Sequence, residues 1–131
     1  MFAELFVLLY LAHLLADYPF QTDHQAGHKA DCGAAGWRAN LSHAGTHLLI
    51  SAVMLTIGAL VLDLHLSLPA AAVALAWIAG THAFIDRRWP VARWMKLARQ
   101  AGWAQHGGAA HVDQTAHVTA LTLAALLVAS I

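Results

Sequence analysis

Leu41-Ser42-His43-Ala44-Gly45-Thr46-His47-Leu48-Leu49-Ile50-Ser51-Ala52-Val53-Met54-Leu55-Thr56-Ile57-Gly58-Ala59-Leu60-Val61-Leu62 contains no Asp, Glu, Lys or Arg. Its length matches the roughly 20 apolar residues that cross a bilayer core as one helix. Three other segments read the same way. One covers about 2–18 and is free of charge between Glu4 and Asp17. One covers 69–86 and opens on Pro69, a residue suited to a first helical turn. The last, 108–131, follows Gly107-Gly108. Composition agrees, with 60% hydrophobic and 11% charged residues, against about 25% charged in ordinary soluble domains. The expected fold is all-α: one transmembrane domain over 1–131, built as a four-helix bundle. The first segment has no basic leader, and His13 and Asp17 stand where a cleavage site would lie, so it reads as a retained span rather than a signal peptide.

Charge distribution orients the bundle. Lys29, Arg38, Arg87, Arg88, Arg93, Lys96 and Arg99 all fall between spans one and two or between spans three and four. Both loops lie on one face, and the positive-inside rule makes that face cytoplasmic. The expected location is the inner (plasma) membrane, with both termini outside. The stretch Trp89 to Arg99 mixes Trp with Arg and Lys, as an amphipathic helix on the headgroups does. Zero formal net charge gives no reason to expect nucleic acid as a partner. A single cysteine, Cys32, excludes an internal disulfide framework and reads as an inert loop residue.

Each span carries one polar pair at i, i+4: His13 and Asp17, His43 and His47, His82 and Asp86, Asp113 and His117. That spacing puts both members on one helical face, about 6 Å apart along the axis. Polar groups inside a membrane face a bundle interior or a watery cavity, so the four pairs are expected to face each other. In the four-span topology all lie toward the cytoplasmic side. His13, His47, His82 and His117 form the deeper layer, and Asp17, His43, Asp86 and Asp113 the shallower one.

The pairs also repeat. His13 to His82 and Asp17 to Asp86 are each 69 positions apart, and His43 to Asp113 and His47 to His117 each 70. Two similar helical hairpins about an axis along the membrane normal would produce this. The Ala-Gly-Thr-His runs at 44–47 and 79–82 do not fit that repeat, and their Gly-Thr pairs read as small residues for close helix contact.

Three gathered carboxylates need compensation, either from Arg87 and Arg88 or from a bound cation. Imidazole and carboxylate together suit Zn, Mn or Fe. One or two divalent transition-metal ions are therefore expected, ligated from His13, His43, His47, His82, His117, Asp17, Asp86 and Asp113. Gln21, Asp23 and Gln114 flank these positions and could orient the ligands. The pair His24 and His28 reads as solvated loop residues, and His65, His106, His111 and Glu4 have no motif support.

The stretch Leu11-Ala12-His13-Leu14-Leu15-Ala16-Asp17-Tyr18-Pro19-Phe20-Gln21-Thr22-Asp23 resembles the opening of a small bacterial membrane-protein family catalogued as domain of unknown function 3307. The His43 region, Thr81-His82-Ala83-Phe84-Ile85-Asp86 and Asp113-Gln114-x-x-His117 resemble it too, so the likeness covers most of the chain. It implies a fold and a site but no reaction. The motif is loosely similar to membrane-bound metal-dependent hydrolases. The leading expectation is therefore a metal-dependent hydrolase acting on a membrane lipid or lipid-linked substrate, with Asp17, Asp86 or Asp113 as general base. A di-iron oxygenase or desaturase is a second enzyme reading, weakened by the absence of His-His doublets. The other readings are transport or sensing of a divalent metal or protons, and a non-enzymatic accessory subunit. A homo-oligomer is compatible with all of them.

Overall fold

The computed structural model describes residues 1–130; Ile131, the last position of the fourth expected span, lies outside the described residues. The described residues form seven α-helices, α1 (Phe2–Asp17), α2 (Asp23–His28), α3 (Gly33–Val61), α4 (Leu68–Ile85), α5 (Trp89–Leu97), the short α6 (Ala101–Trp103) and α7 (Ala109–Ala129), with a wider helical turn, Ala104–Gly108, between the last two. No strand occurs among the described residues. Gly107, at φ +90°, supplies a left-handed backbone that breaks the helical path between α6 and α7. α1 packs on α3 and α7, and α4 packs on the same two helices.

Among the described residues, three helical stretches are long and apolar enough to cross a membrane: Gly33–Val61, Leu68–Ile85 and Ala101–Ala129, the last kinked at Gly107. α1 has 16 residues. At 1.5 Å per residue it reaches about 24 Å, short of a hydrocarbon core of roughly 30 Å. The first expected span is thus a shorter helix than the other three.

Polarity is inverted relative to a soluble bundle. Large apolar side chains such as Val7, Leu49, Leu60 and Leu68 are exposed, whereas His13, His43, His47, His82 and Asp86 are buried. An apolar cluster of Leu5, Leu9, Leu55, Ala74, Ile78, Leu121 and Val128 fills one end of the helix group. The histidines fill the other.

The connection 19–40, expected to be a loop, is largely helical. Thr22 Oγ1 accepts from the Gln25 amide (3.2 Å), and the Thr22 amide donates to Gln25 Oε1 (3.0 Å). This reciprocal cap starts α2 by satisfying otherwise orphaned amides. Gln25 Nε2 then donates to Ser42 Oγ at 3.0 Å and fastens α2 to α3. His24 and His28 are exposed on this short helix rather than lying in a loop. α3 begins at Gly33, well before the expected Leu41, because Ala34, Ala35 and Ala39 extend the helix at little entropic cost.

The Gly-Thr pairs do not mediate helix contact as expected. Gly45 and Gly80 are exposed, with nothing near the place of a side chain. Thr46 and Thr81 bond carbonyls of their own helices, Ser42 O and Trp77 O. Close helix approach occurs instead at Gly58, where a β-carbon would meet Leu8 of α1, and the preceding turn crowds Gly36, where a β-carbon would collide with the Asp31 carbonyl. Gly36→Ala should therefore destabilise the fold by about 1–3 kcal/mol, the usual range for overpacking, read as a lowered thermal midpoint. An unchanged midpoint would show that the 29–32 turn moves freely.

Candidate metal centre

Four helices supply the cluster, each through the turn that carries its polar pair. Asp17 Oδ1 lies 3.1 Å from His43 Nε2 and 3.2 Å from His47 Nε2. Asp17 Oδ2 lies 3.2 Å from His13 Nε2. His82 Nε2 is 3.9 Å from Asp17 Oδ1 and 3.1 Å from Asp86 Oδ2. His43 Nε2 also approaches Asp86 Oδ2, at 3.4 Å. His117 Nε2 completes the ring at 3.8 Å from Asp86 Oδ1.

The deeper imidazoles cluster as their positions suggested. Ring centroids are 5.3 Å apart for His13 and His47, 3.4 Å for His47 and His82, 4.3 Å for His82 and His117, and 5.2 Å for His13 and His117. A cavity of about 10 Å³ lies among His13, His82 and His117, at the lower limit for a single water.

Two donor sets emerge. Asp17, His43, His47 and His82 offer atoms all within 4.8 Å of one another, and so do His82, Asp86 and His117. Ligands about 2.1 Å from a tetrahedral zinc lie roughly 3.4 Å apart, which is the scale of the spacings above. Hydrogen-bond accounting points the same way. His117 Nε2 is buried without a hydrogen bond, and His82 Nε2 has only Asp86 Oδ2 near it, an oxygen already ion-paired with Lys29. In the first set, His43 Nε2 and His47 Nε2 lie 3.3 Å apart while both face Asp17 Oδ1. Protons on both nitrogens would crowd each other. Convergent lone pairs without intervening protons are what a cation requires.

Charge leaves the cluster short of positive counterions. Asp17 and Asp86 face one ammonium, Lys29, whose Nζ sits 2.9 Å from Asp86 Oδ2. Contrary to the expectation from sequence, Arg87 does not neutralise the carboxylates. It donates to the carbonyls of Lys29 (2.9 Å) and Asp31 (2.6 Å), and its guanidinium lies 4.5 Å from the Trp37 ring centroid. Arg88 is exposed and lines the approach to Asp86.

The remaining expected site residues separate by position. Asp113 Oδ2 stands 3.3 Å from His117 Nδ1, behind the ring and outside both donor sets. His13 likewise belongs to neither set; it bridges Asp17 and Gln114, whose Oε1 is 3.3 Å away. Gln21 donates to the Asp17 backbone carbonyl (2.6 Å), so it caps α1 and does not reach the carboxylate. Asp23 is exposed in the first turn of α2. Sequence reasoning missed Lys29. Its only signal was a basic residue in the connection beside the shallow layer, indistinguishable there from a topology determinant.

A family model described as protein of unknown function (DUF3307) matches residues 5–131, nearly the whole chain. The chain belongs to that family. The DUF3307 match spans every residue of both donor sets, and its description supplies no reaction. No curated protein and no solved structure matches the chain.

Proposed function

We propose that this DUF3307 protein is a metal-dependent membrane hydrolase that acts on a lipid or lipid-linked ester, amide or phosphate. The observation that carries the reading is the convergence of imidazole and carboxylate atoms from four helices into two sets with metal-ligand spacing, most of them buried. A divalent ion such as Zn, Mn or Fe held there would lower the pKa of a bound water to about 7 and polarise the bond under attack. Asp86 is the general base best placed for this chemistry, because it belongs to a donor set and also lines a cavity that opens beside Lys29 and Arg88. Asp17 serves as a ligand, and Asp113 holds the His117 ring in orientation, as carboxylates behind metal-bound histidines do.

The architecture behind this reading is a single domain of two hairpins, α1 with α3 and α4 with α7, all four helices crossing the inner membrane. Both connections that carry basic residues would be cytoplasmic. Cysteine labelling in a Cys32→Ser background tests the sidedness, since Cys32 is exposed and would itself react. Arg93→Cys is expected to resist an impermeant reagent applied outside intact cells, and Ser67→Cys to react. The opposite pattern would overturn the topology.

Metal content tests the centre. Protein purified without chelator should hold a stoichiometric transition metal by elemental analysis. His47→Ala and His117→Ala should lose it, while His65→Ala, on an exposed residue of the α3–α4 connection, should keep it. Absence of metal from the wild type, with no thermal stabilisation by added Zn, Mn or Fe, would defeat the proposal.

A further inference from the structure

Two cavities flank α5, and Val91 lines both. The first, of about 450 Å³, reaches Asp86 and is bordered by Lys29, Arg88 and Asp113 among small apolar residues. The second, of about 510 Å³, is a groove walled by Phe84, Trp94, Trp103 and Thr119. One carries two basic side chains, Lys29 and Arg88, beside the carboxylates of Asp86 and Asp113; the other is mainly apolar and aromatic. Gln100 also lines the groove, and its Oε1 is buried without a hydrogen-bond partner. Arg93, Lys96 and Arg99 are exposed on and just after α5. The charge around α5 is therefore mainly positive, while the groove beside it offers rings and methyl groups.

We infer that these cavities hold one lipid with a compact phosphate headgroup, its phosphate between Lys29 and Arg88 and one acyl chain in the Trp94–Trp103 groove. This names the substrate class of the hydrolase reading, on which its catalytic meaning rests, though the binding itself needs no metal. Charge complementarity selects an anionic lipid over a zwitterionic one, since basic side chains near a membrane surface each favour it several-fold. Lys29 also links the two sites. Its ammonium lies 2.9 Å from Asp86 Oδ2, at the cavity that Arg88 also lines.

The groove tryptophans provide the readout. The full chain in phosphatidylcholine nanodiscs would receive phosphatidic acid with brominated acyl chains or, separately, brominated phosphatidylcholine at equal mole fraction. Brominated phosphatidic acid should quench tryptophan fluorescence with a preference on the order of ten-fold. Arg88→Gln should remove most of that preference, and so should Thr119→Phe, which fills the groove without touching the donor sets. Trp94→Phe should remove much of the quenched signal while sparing the fold. Equal quenching by the two lipids, or a preference surviving both Arg88→Gln and Thr119→Phe, would overturn the inference. Loss of the preference on adding inorganic phosphate at matched concentration would assign the site to a free anion and overturn it too. Metal content measured on the same samples separates the two proposals. A lipid preference in metal-free wild type keeps this inference and sinks the hydrolase, whereas metal-loaded protein without the preference sinks this inference alone.

Discussion

Asp17→Asn is expected to abolish metal retention while leaving the fold close to native. Asn keeps an oxygen where Oδ1 now faces His43 and His47 at 3.1 and 3.2 Å, so a pure hydrogen-bond network would survive the change. It removes the negative charge, and a neutral amide is a much poorer ligand for a transition metal than a carboxylate. Changes in groups that merely orient ligands already weaken metal binding by about 10–100-fold, and loss of a ligand should exceed that. The measurement is thermal stabilisation by added metal, which for a site at 100 times its Kd amounts to about 2.7 kcal/mol. That increment should vanish in Asp17→Asn and persist in the wild type. Asp17→Ala is the harsher companion. It strips a common partner from His13, His43 and His47, and breaking such a buried polar cluster costs roughly 3–5 kcal/mol. If Asp17→Asn retained metal at wild-type affinity, the carboxylate would not be a ligand.

The second large effect is expected at Arg87. Arg87→Ala removes two hydrogen bonds from a charged donor to the Lys29 and Asp31 carbonyls, together with the guanidinium face over Trp37. Such bonds contribute about 1.5–3 kcal/mol each and the ring contact about 0.5–1. Partial exposure reduces the total to roughly 2–4 kcal/mol. Arg87→Lys should recover little of it, because one ammonium cannot span two carbonyls in the fixed fork of a guanidinium. The consequence reaches the cluster, since the turn that Arg87 pins is the turn that carries Lys29 to Asp86. Limited proteolysis should cut the variant between 22 and 32 faster than the wild type. An unchanged cleavage rate and thermal midpoint would show that the turn is held by α2 alone.

The spacing of His13, Asp17, His43, His47, His82, Asp86 and His117 made the buried His/Asp cluster readable. A four-residue step fixes a face of a helix locally, and the cost of polar groups in an apolar surrounding decides which way that face turns. Helix content was readable for the same local reason. Contacts made across the chain were not. Lys29 meets Asp86, and Arg87 meets the Lys29 and Asp31 carbonyls, across 56 to 58 positions of sequence that no local pattern links. The long polar stretch 19–40 looked like a loop because its stability comes from the Thr22–Gln25 cap and from docking rather than from an apolar stripe. Asp113 shows the limit of spacing arguments. The i, i+4 relation correctly placed it beside His117, yet its carboxylate meets Nδ1, on the far side of the ring from Asp86.

With α1 crossing the bilayer as proposed, its 16 residues stand beside helices that are longer. Membranes answer such mismatch by deforming, at a cost of only fractions of a kcal/mol per Å. A shortfall of about 6 Å against a 30 Å core would therefore be met by local thinning along α1. Asp17 is the last residue of that helix. On that proposal the leaflet would dimple where the cluster lies nearest the surface, shortening the distance that an ion or a headgroup must travel to reach it.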